Sequence, residues 1–271
     1  MSNVEPGANR RTIGLIHGSW HGAWSWDKLR PELDKLGFDS IPVQLPTRVP
    51  GASYEDYADA AASQLEGQRI DLLVAHSGGA HTVPGVVKRL GVGAIGGVVY
   101  LGGSLGASGG ESPLYTRGEA LPWQRATRAF REAMIPMKDG MVAMDMSRAR
   151  GLFFNDTNDT DARWAMNHME IQNRPTDEPP LGAHQIDGLP AWYVLNREDR
   201  IRDRGMAAWA AGHLGMRLIE MDGDHSPAIS RPAELARVLA SLTVDNVTQK
   251  PQYVPLPRQS SEVNTPWAQP V

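Results

Sequence analysis

The sequence contains a serine in the local setting that nucleophilic catalysis requires. Ser77 lies in the motif Ala75-His76-Ser77-Gly78-Gly79, after the apolar run 70–75 and before a helical pattern. A serine at a sharp turn from strand to helix is exposed, provided that the residues two positions before and after it are small. Ala75 and Gly79 meet this requirement, although alanine adds one methyl group where glycine is usual. An ordinary glycine-rich turn is the alternative interpretation.

A histidine and several carboxylates follow in polar loops nearer the C-terminus. His225 lies between a predicted strand and the last predicted helix, and Glu198 and Asp199 follow another predicted strand. A serine nucleophile needs a histidine that accepts its proton and a carboxylate that orients the histidine, and the carboxylate here precedes the histidine in the chain. The alternative for Glu198 and Asp199 is a solvated turn paired with nearby arginines. Asp222 and Asp224, which lie just before His225 in the sequence, are interpreted as turn formers.

The remaining histidines are expected to have structural roles. His17 and His21 are flanked by glycines and have no carboxylate close in sequence, so we expect them to brace a loop by hydrogen bonds. His168 and His184, in the segment 105–188, are expected to pack or to face solvent, and a substrate contact is left open for both. His213, in a probable helix, is also expected to pack or to face solvent. We expect neither a metal nor a cofactor.

The elements that must position these residues alternate between short apolar runs and helical patterns. This alternation predicts an α/β fold with a mostly parallel sheet of about six strands and helices on both faces. Strands are predicted at Thr12–Ile16, Ser40–Val43, Ile70–Ala75, Gly97–Leu101, Ala191–Leu195 and Arg217–Met221. Helices are predicted at Trp26–Leu36, at Tyr54–Glu66 with Ser53 as N-cap, from the Ser77 turn to about Leu90, and from near Pro232 to about Leu242.

The rhythm of strands and helices breaks between about residues 105 and 188. We therefore predict a core of residues 1–104 and 189–243, an inserted cap of residues 105–188 and a tail of residues 244–271 that contains five prolines. The cap holds seven of the eleven methionines. Methionine adapts to apolar ligands, but it also fills gaps in small helical cores, and the sequence leaves both interpretations open.

Composition excludes several classes of chemistry and of partner. The chain of 271 residues has no cysteine, which removes disulfides, cysteine-based metal sites and thiol nucleophiles. Its net charge is −4, and no run of Lys or Arg exceeds two, so we expect no nucleic-acid and no membrane partner. Residues 1–11 are polar and lack the apolar region of a secretory signal, which favours a cytoplasmic location.

Together the motifs resemble a known superfamily. His17-Gly18, His21-Gly22-Ala23-Trp24 and His76-Ser77 are similar to motifs of the α/β-hydrolases, most closely the branch of plant methylesterases, hydroxynitrile lyases and related bacterial esterases. The resemblance covers residues 12–243, weakly in the cap. It implies Ser77 as nucleophile, His225 as base and Asp199, the aspartate of a Glu-Asp pair, as acid, with Glu198 in reserve. It also implies an oxyanion hole formed by the backbone N–H groups of Ser19 and Gly78.

The resemblance implies a serine hydrolase that cleaves a carboxylic ester or lactone of a small, fairly apolar substrate. Four tryptophans are expected to line the substrate site: Trp20, Trp24, Trp123 and Trp164. Three alternatives stay open: a hydroxynitrile lyase, disfavoured because Ser226 replaces the lysine of those lyases; a cofactor-free oxygenase or polyketide-modifying enzyme; and a non-catalytic small-molecule receptor. A homodimer that uses the tail as an arm is also left open.

Overall fold

The fold is built on a six-stranded sheet in which every pair of neighbours is parallel. The computed structural model describes residues 10–105, 129–177, 179, 181–202 and 204–244. The strands of this sheet are β1 (Arg11–Ile16), β2 (Phe38–Val43), β3 (Leu72–His76), β4 (Val98–Leu101), β8 (Ala191–Asn196) and β9 (Arg217–Met221). Their order is β2-β1-β3-β4-β8-β9. The chain therefore reverses direction across the sheet at the β1–β3 pair, where α/β folds place their ligand sites.

Both faces of the sheet are covered by helices, as a buried parallel sheet requires. Side chains alternate along each strand: Leu72 and Val74 of β3 point to one core, while Leu73 and Ala75 point to the other. The helices are α1 (Leu29–Lys35), α2 (Tyr54–Leu65), α3 (Val83–Leu90), α4 (Met146–Phe153), α5 (Asp159–His168), α6 (Arg204–His213), α7 (Pro227–Ser230) and α8 (Pro232–Val244). Helices α2, α3 and α6 pack on one face, and α1 and α8 pack on the other. None of the helices in these described ranges is long and apolar enough to cross a membrane.

The fold confirms the predicted class but corrects several element boundaries. The helix predicted at Trp26–Leu36 is a 3-10 turn at Ala23–Trp26 followed by α1. Strand β2 begins two residues earlier than predicted and tolerates Pro42, because it lies at the edge of the sheet. Strand β3 begins at Leu72 rather than Ile70, which forms only an isolated bridge with Ile95.

The N-cap of α2 agrees with the prediction. The Ser53 hydroxyl accepts a hydrogen bond from the Asp56 N–H at 3.1 Å, and the Asp56 carboxylate accepts one from the Ser53 N–H at 2.7 Å. This reciprocal capping box satisfies two N–H groups that a helix start otherwise leaves without partners. The helix ends at Leu65, one residue before the predicted end.

A small second sheet lies in the segment that joins β4 to β8. This segment, residues 102–190, is called here the β4–β8 connection. It contains helices α4 and α5 and an antiparallel sheet of β5 (Met134–Pro136), β6 (Met141–Met144) and β7 (Gln172–Asn173). This sheet is an addition to the predicted elements, and its strands have only two to four residues. Residues 106–128 of the predicted cap and 245–271 of the predicted tail lie outside the described residues.

Candidate active site

The turn that carries Ser77 has the crowded geometry predicted for a nucleophile. Ser77 directly follows β3 and has a φ of 49°, in the left-handed region that non-glycine residues rarely adopt. A Cβ added to Gly79 would collide with the carbonyl oxygen of His17, so no side chain fits there. Strain of this kind persists only where the surrounding structure holds it, and it concentrates at functional sites. From Ser77 to Thr82 the chain forms a 3-10 turn that leads into α3, so the predicted turn extends three residues past Gly79 before the predicted helix begins.

Ser77, His225 and Asp199 form one hydrogen-bonded row. The Ser77 hydroxyl donates to Nε2 of His225 at 2.8 Å, across 148 residues of sequence. Nδ1 of His225 donates to Oδ2 of Asp199 at 2.7 Å. The side chains of His225 and Asp199 are fully buried, and Ser77 is 4% exposed. In this arrangement the imidazole can accept the serine proton, and the carboxylate can stabilise the imidazolium that forms.

The loop that follows β8 holds Asp199 in its ionised form. Oδ1 of Asp199 accepts hydrogen bonds from the N–H groups of Ile201 and Arg202 at 2.7 and 2.9 Å. Burial opposes ionisation, but the charge and hydrogen bond of His225, together with these two N–H groups, outweigh it and lower the pKa of Asp199. Glu198, the reserve candidate for the acid, instead accepts a hydrogen bond from the Gly223 N–H at 2.5 Å.

The backbone groups predicted to form an oxyanion hole lie beside Ser77. The β1 loop, residues 17–22, approaches so closely that a Cβ on Gly18 would lie 2.8 Å from Cβ of Ser77. A Cβ on Gly78 would lie 3.6 Å from the backbone nitrogen of Ser19 and would collide with the Ser19 hydroxyl. Outside the helices and strands of the described residues, neither the Ser19 nor the Gly78 N–H donates to a backbone carbonyl. Their role as oxyanion donors stays a prediction.

Buried neutral histidines surround the row. Nδ1 of His17 donates to the Gly18 carbonyl and its Nε2 accepts from the Leu45 N–H, while Nδ1 of His21 donates to the Ser19 carbonyl. Burial lowers the pKa of His17 to about 4 and that of His21 to about 3. These contacts agree with the predicted bracing of the loop. His76 was predicted only as part of the turn motif; its Nε2 donates to the His225 carbonyl at 2.7 Å, so it also holds His225 in place.

Two of the four predicted substrate tryptophans join the β1 loop to the β4–β8 connection. Trp20 is 3% exposed, donates from its indole N–H to the Val142 carbonyl at 3.1 Å and packs edge-on against Phe130. Trp24 packs edge-on against Trp164, with ring centroids 5.4 Å apart. Trp123 lies outside the described residues. A substrate contact of these tryptophans stays a prediction.

Asp224 has a larger role than the turn former expected from the sequence. It is fully buried and accepts hydrogen bonds from residues of the β4–β8 connection as well as from its own loop. Asp222, by contrast, lies at the surface and pairs with Arg197 at 2.5 Å. The sequence does not reveal the contacts of Asp224 with the β4–β8 connection, because those two partners are 67 and 68 residues away in the chain.

The chain belongs to the alpha/beta hydrolase family. The sequence profile of that family matches residues 15–238, which span β1 to α8 and include all three members of the hydrogen-bonded row. No curated protein is similar enough in sequence to match this chain. The family assignment confirms the predicted superfamily and fold class.

Solved structures with this fold include a hydrolase and two esterases. A pyrethroid hydrolase from Sphingobium faniae JZ-2 is 22% identical with a TM-score of 0.69, covering 88% of this chain and 98% of its own. The methylesterase MES16 from Arabidopsis is 21% identical with a TM-score of 0.66, and the match covers 86% of this chain and 99% of the methylesterase. Polyneuridine aldehyde esterase is 15% identical with a TM-score of 0.68, and the match covers 87% of this chain and 100% of that esterase. At these identities the similarity establishes the fold.

Proposed function

We propose that this protein is a serine hydrolase that cleaves carboxylic esters or lactones through an acyl-enzyme. The observation that carries the proposal is the row Ser77–His225–Asp199, with hydrogen bonds of 2.8 and 2.7 Å. The esterases among the structural neighbours support the same reaction class.

In the first half of the reaction Ser77 attacks the ester carbonyl. Its Oγ forms a bond to the carbonyl carbon while its proton passes to Nε2 of His225. The tetrahedral intermediate then breaks the bond to the alcohol oxygen, which leaves with the proton that His225 returns. Asp199 stabilises the transient imidazolium and fixes the ring orientation.

The second half of the reaction restores the free enzyme. Water gives a proton to His225, and its oxygen bonds to the acyl carbon. The bond to Oγ of Ser77 then breaks, and His225 returns the proton to the serine. The carboxylic acid is released, so one water is consumed for each ester cleaved.

The N–H groups of Ser19 and Gly78 are proposed to stabilise the negative charge on the carbonyl oxygen. Both lie beside Ser77, and fixed donors need no reorganisation as the charge develops. One such donor contributes about 10²–10³ in rate. The Ser19 N–H is held in place by the neighbouring residue Trp20, whose backbone N–H donates to the Gln172 side chain at 2.7 Å.

An apolar substrate fits the aromatic surroundings. The ring of Phe153 lies edge-on to that of His225, with centroids 5.7 Å apart, and Trp20, Phe130 and Phe153 form a cluster beside the β1 loop. Aromatic side chains favour acyl or aryl groups that are removed from water on binding.

The test combines a covalent probe with a matched pair of serine variants. Wild-type protein is expected to react with a serine-directed fluorophosphonate and to hydrolyse p-nitrophenyl acetate, and Ser77→Ala is expected to abolish both. Ser25→Ala is the control, since Ser25 is also buried but its hydroxyl donates only to the Gly22 carbonyl. Hydrolysis that survives in Ser77→Ala would contradict the proposal. A thermal shift with an aryl ester but no turnover by wild type would favour a receptor instead.

A further inference from the structure

Asp224 is a buried carboxylate with four hydrogen-bond donors. Its Oδ2 accepts from the Thr157 hydroxyl at 2.6 Å and from the Asp156 N–H at 3.0 Å. Its Oδ1 accepts from the Ser226 N–H at 3.0 Å and from the Ser230 hydroxyl at 2.9 Å. Asp224 has no exposed surface, so these four donors replace the hydrogen bonds to water that its carboxylate loses on burial.

These bonds immobilise the short loop that contains His225. Only residues 222–226 separate the end of β9 from the start of α7, so fixing Asp224 and Ser226 leaves little freedom for the residue between them. From the opposite side, His76 donates to the His225 carbonyl. The imidazole position thus depends on contacts on both sides of the His225 backbone.

The segment that holds Asp224 also contacts the loop that contains Asp199. Residues 155–157 follow α4 in the β4–β8 connection. The Asn155 side chain donates to the Glu198 carbonyl at 3.0 Å, next to Asp199. The Asp156 carboxylate pairs at 2.8 Å with Arg231, which follows His225 in the chain. One tripeptide therefore connects the two loops whose side chains must meet in the row.

We propose that Asp224 and Thr157 are positioning residues, which hold His225 in the alignment needed for proton transfer. This inference rests on the proposed function, because the alignment matters for rate only if His225 acts as the base. Among the described residues, neither side chain has a hydrogen bond to the Ser77 hydroxyl or to the His225 ring. Their effect comes through the backbone of His225, since misplacing a catalytic group by about 1 Å costs on the order of 10²-fold in rate.

Two variants at position 157 isolate the hydrogen bond to Asp224. Thr157→Val keeps the shape of the side chain and removes the hydroxyl, whereas Thr157→Ser keeps the hydroxyl. Thr157→Val is expected to lower kcat for p-nitrophenyl acetate by roughly tenfold, with KM changed by less than about twofold, and Thr157→Ser is expected to restore most of the loss.

The matched control is Thr243→Val at the end of α8. Thr243 is buried like Thr157, and its hydroxyl accepts from Arg11 and donates to the Ala240 carbonyl, at the other end of β1 from the β1 loop. This variant should lower the unfolding temperature without changing kcat. If Thr157→Val and Thr243→Val have the same kinetic constants, or if Thr157→Ser fails as Thr157→Val does, the positioning role is wrong.

Asp224→Asn is the stronger perturbation. The new NH2 group faces two donors in place of an acceptor, so kcat is expected to fall by about 100-fold. Asp222→Asn, which removes only a surface ion pair, is expected to keep wild-type kinetics.

Proton NMR separates this inference from the proposed function. The proton that Nδ1 of His225 shares with Asp199 is expected to give a far-downfield signal in wild type and Thr157→Ser, and a weakened or shifted signal in Thr157→Val. If wild type hydrolyses no ester but the signal responds in this way, the proposed function fails and the positioning stands. If the signal and kcat are unchanged in Thr157→Val, the positioning fails while the proposed function stands.

Discussion

The two halves of the candidate active site are held by different kinds of contact. The Ser77 turn is fixed against the β1 loop by close backbone packing, in which Gly18, Gly78 and Gly79 leave no room for side chains. The loops of Asp199 and His225 are fixed by side-chain hydrogen bonds to the distant segment 155–157. The position of Ser77 thus depends on packing that excludes side chains, whereas the positions of Asp199 and His225 depend on side-chain hydrogen bonds. Substitutions in these two halves should therefore have different effects.

Replacing Asp199, the proposed acid, is expected to have the largest effect on kcat in this comparison. Asp199→Asn should lower kcat by about 10⁴-fold, because the amide favours the wrong histidine tautomer and cannot stabilise the imidazolium. Glu198→Gln should change kcat by less than about tenfold, since its amide oxygen can still accept from the Gly223 N–H. Steady-state kinetics on both variants check this, and equal losses would show that the two carboxylates share the role.

The nucleophile half should instead fail through packing. In Gly79→Ala the new methyl group meets the His17 carbonyl and Ile16, so we expect a loss of about 1–3 kcal/mol in the free energy of unfolding. Gly93→Ala is the control, because a Cβ there meets nothing within 4 Å. Denaturant unfolding measures both variants; an unaffected Gly79→Ala would mean that the turn relaxes without cost.

The effect that is smallest at neutral pH concerns two buried histidines, His81 in the 3-10 turn that begins at Ser77 and His184 in the β4–β8 connection. Burial lowers the pKa of His81 and of His184 to about 3, and their rings lie 5.9 Å apart. Neither nitrogen of His184 has a hydrogen-bond partner among the described residues. The unfolded chain binds a proton at each histidine below about pH 6.5 and the folded chain does not, so stability falls as pH drops from 6.5 towards 3.

Removing one of these histidines should flatten that dependence. In His184→Leu the slope of the unfolding free energy between pH 6 and 4 should decrease by about 1.4 kcal/mol per pH unit, with no loss at pH 7. Denaturant unfolding at a series of pH values provides the measurement. An unchanged slope would show that His184 is protonated in the folded protein.

The same contrast explains how much could be predicted from the sequence. The Ser77 turn could be predicted because its chemistry and its packing requirements lie within five consecutive residues. The sheet could be predicted because buried parallel strands form continuous apolar runs. The short β5–β7 sheet has no comparable periodicity. Asp224 was read as a turn residue because its partners Asp156 and Thr157 are close only in the folded chain.

The anchoring of Trp20 has a consequence for the order of folding. Its N–H, its carbonyl and its indole bind Gln172, Glu170 and Val142, more than 120 residues ahead in the chain. Closing loops of that length is entropically unfavourable until much of the protein has collapsed. We therefore expect the backbone around Ser19, a proposed oxyanion donor, to reach its final place late in refolding, after residues 142–172 have docked on the β1 loop.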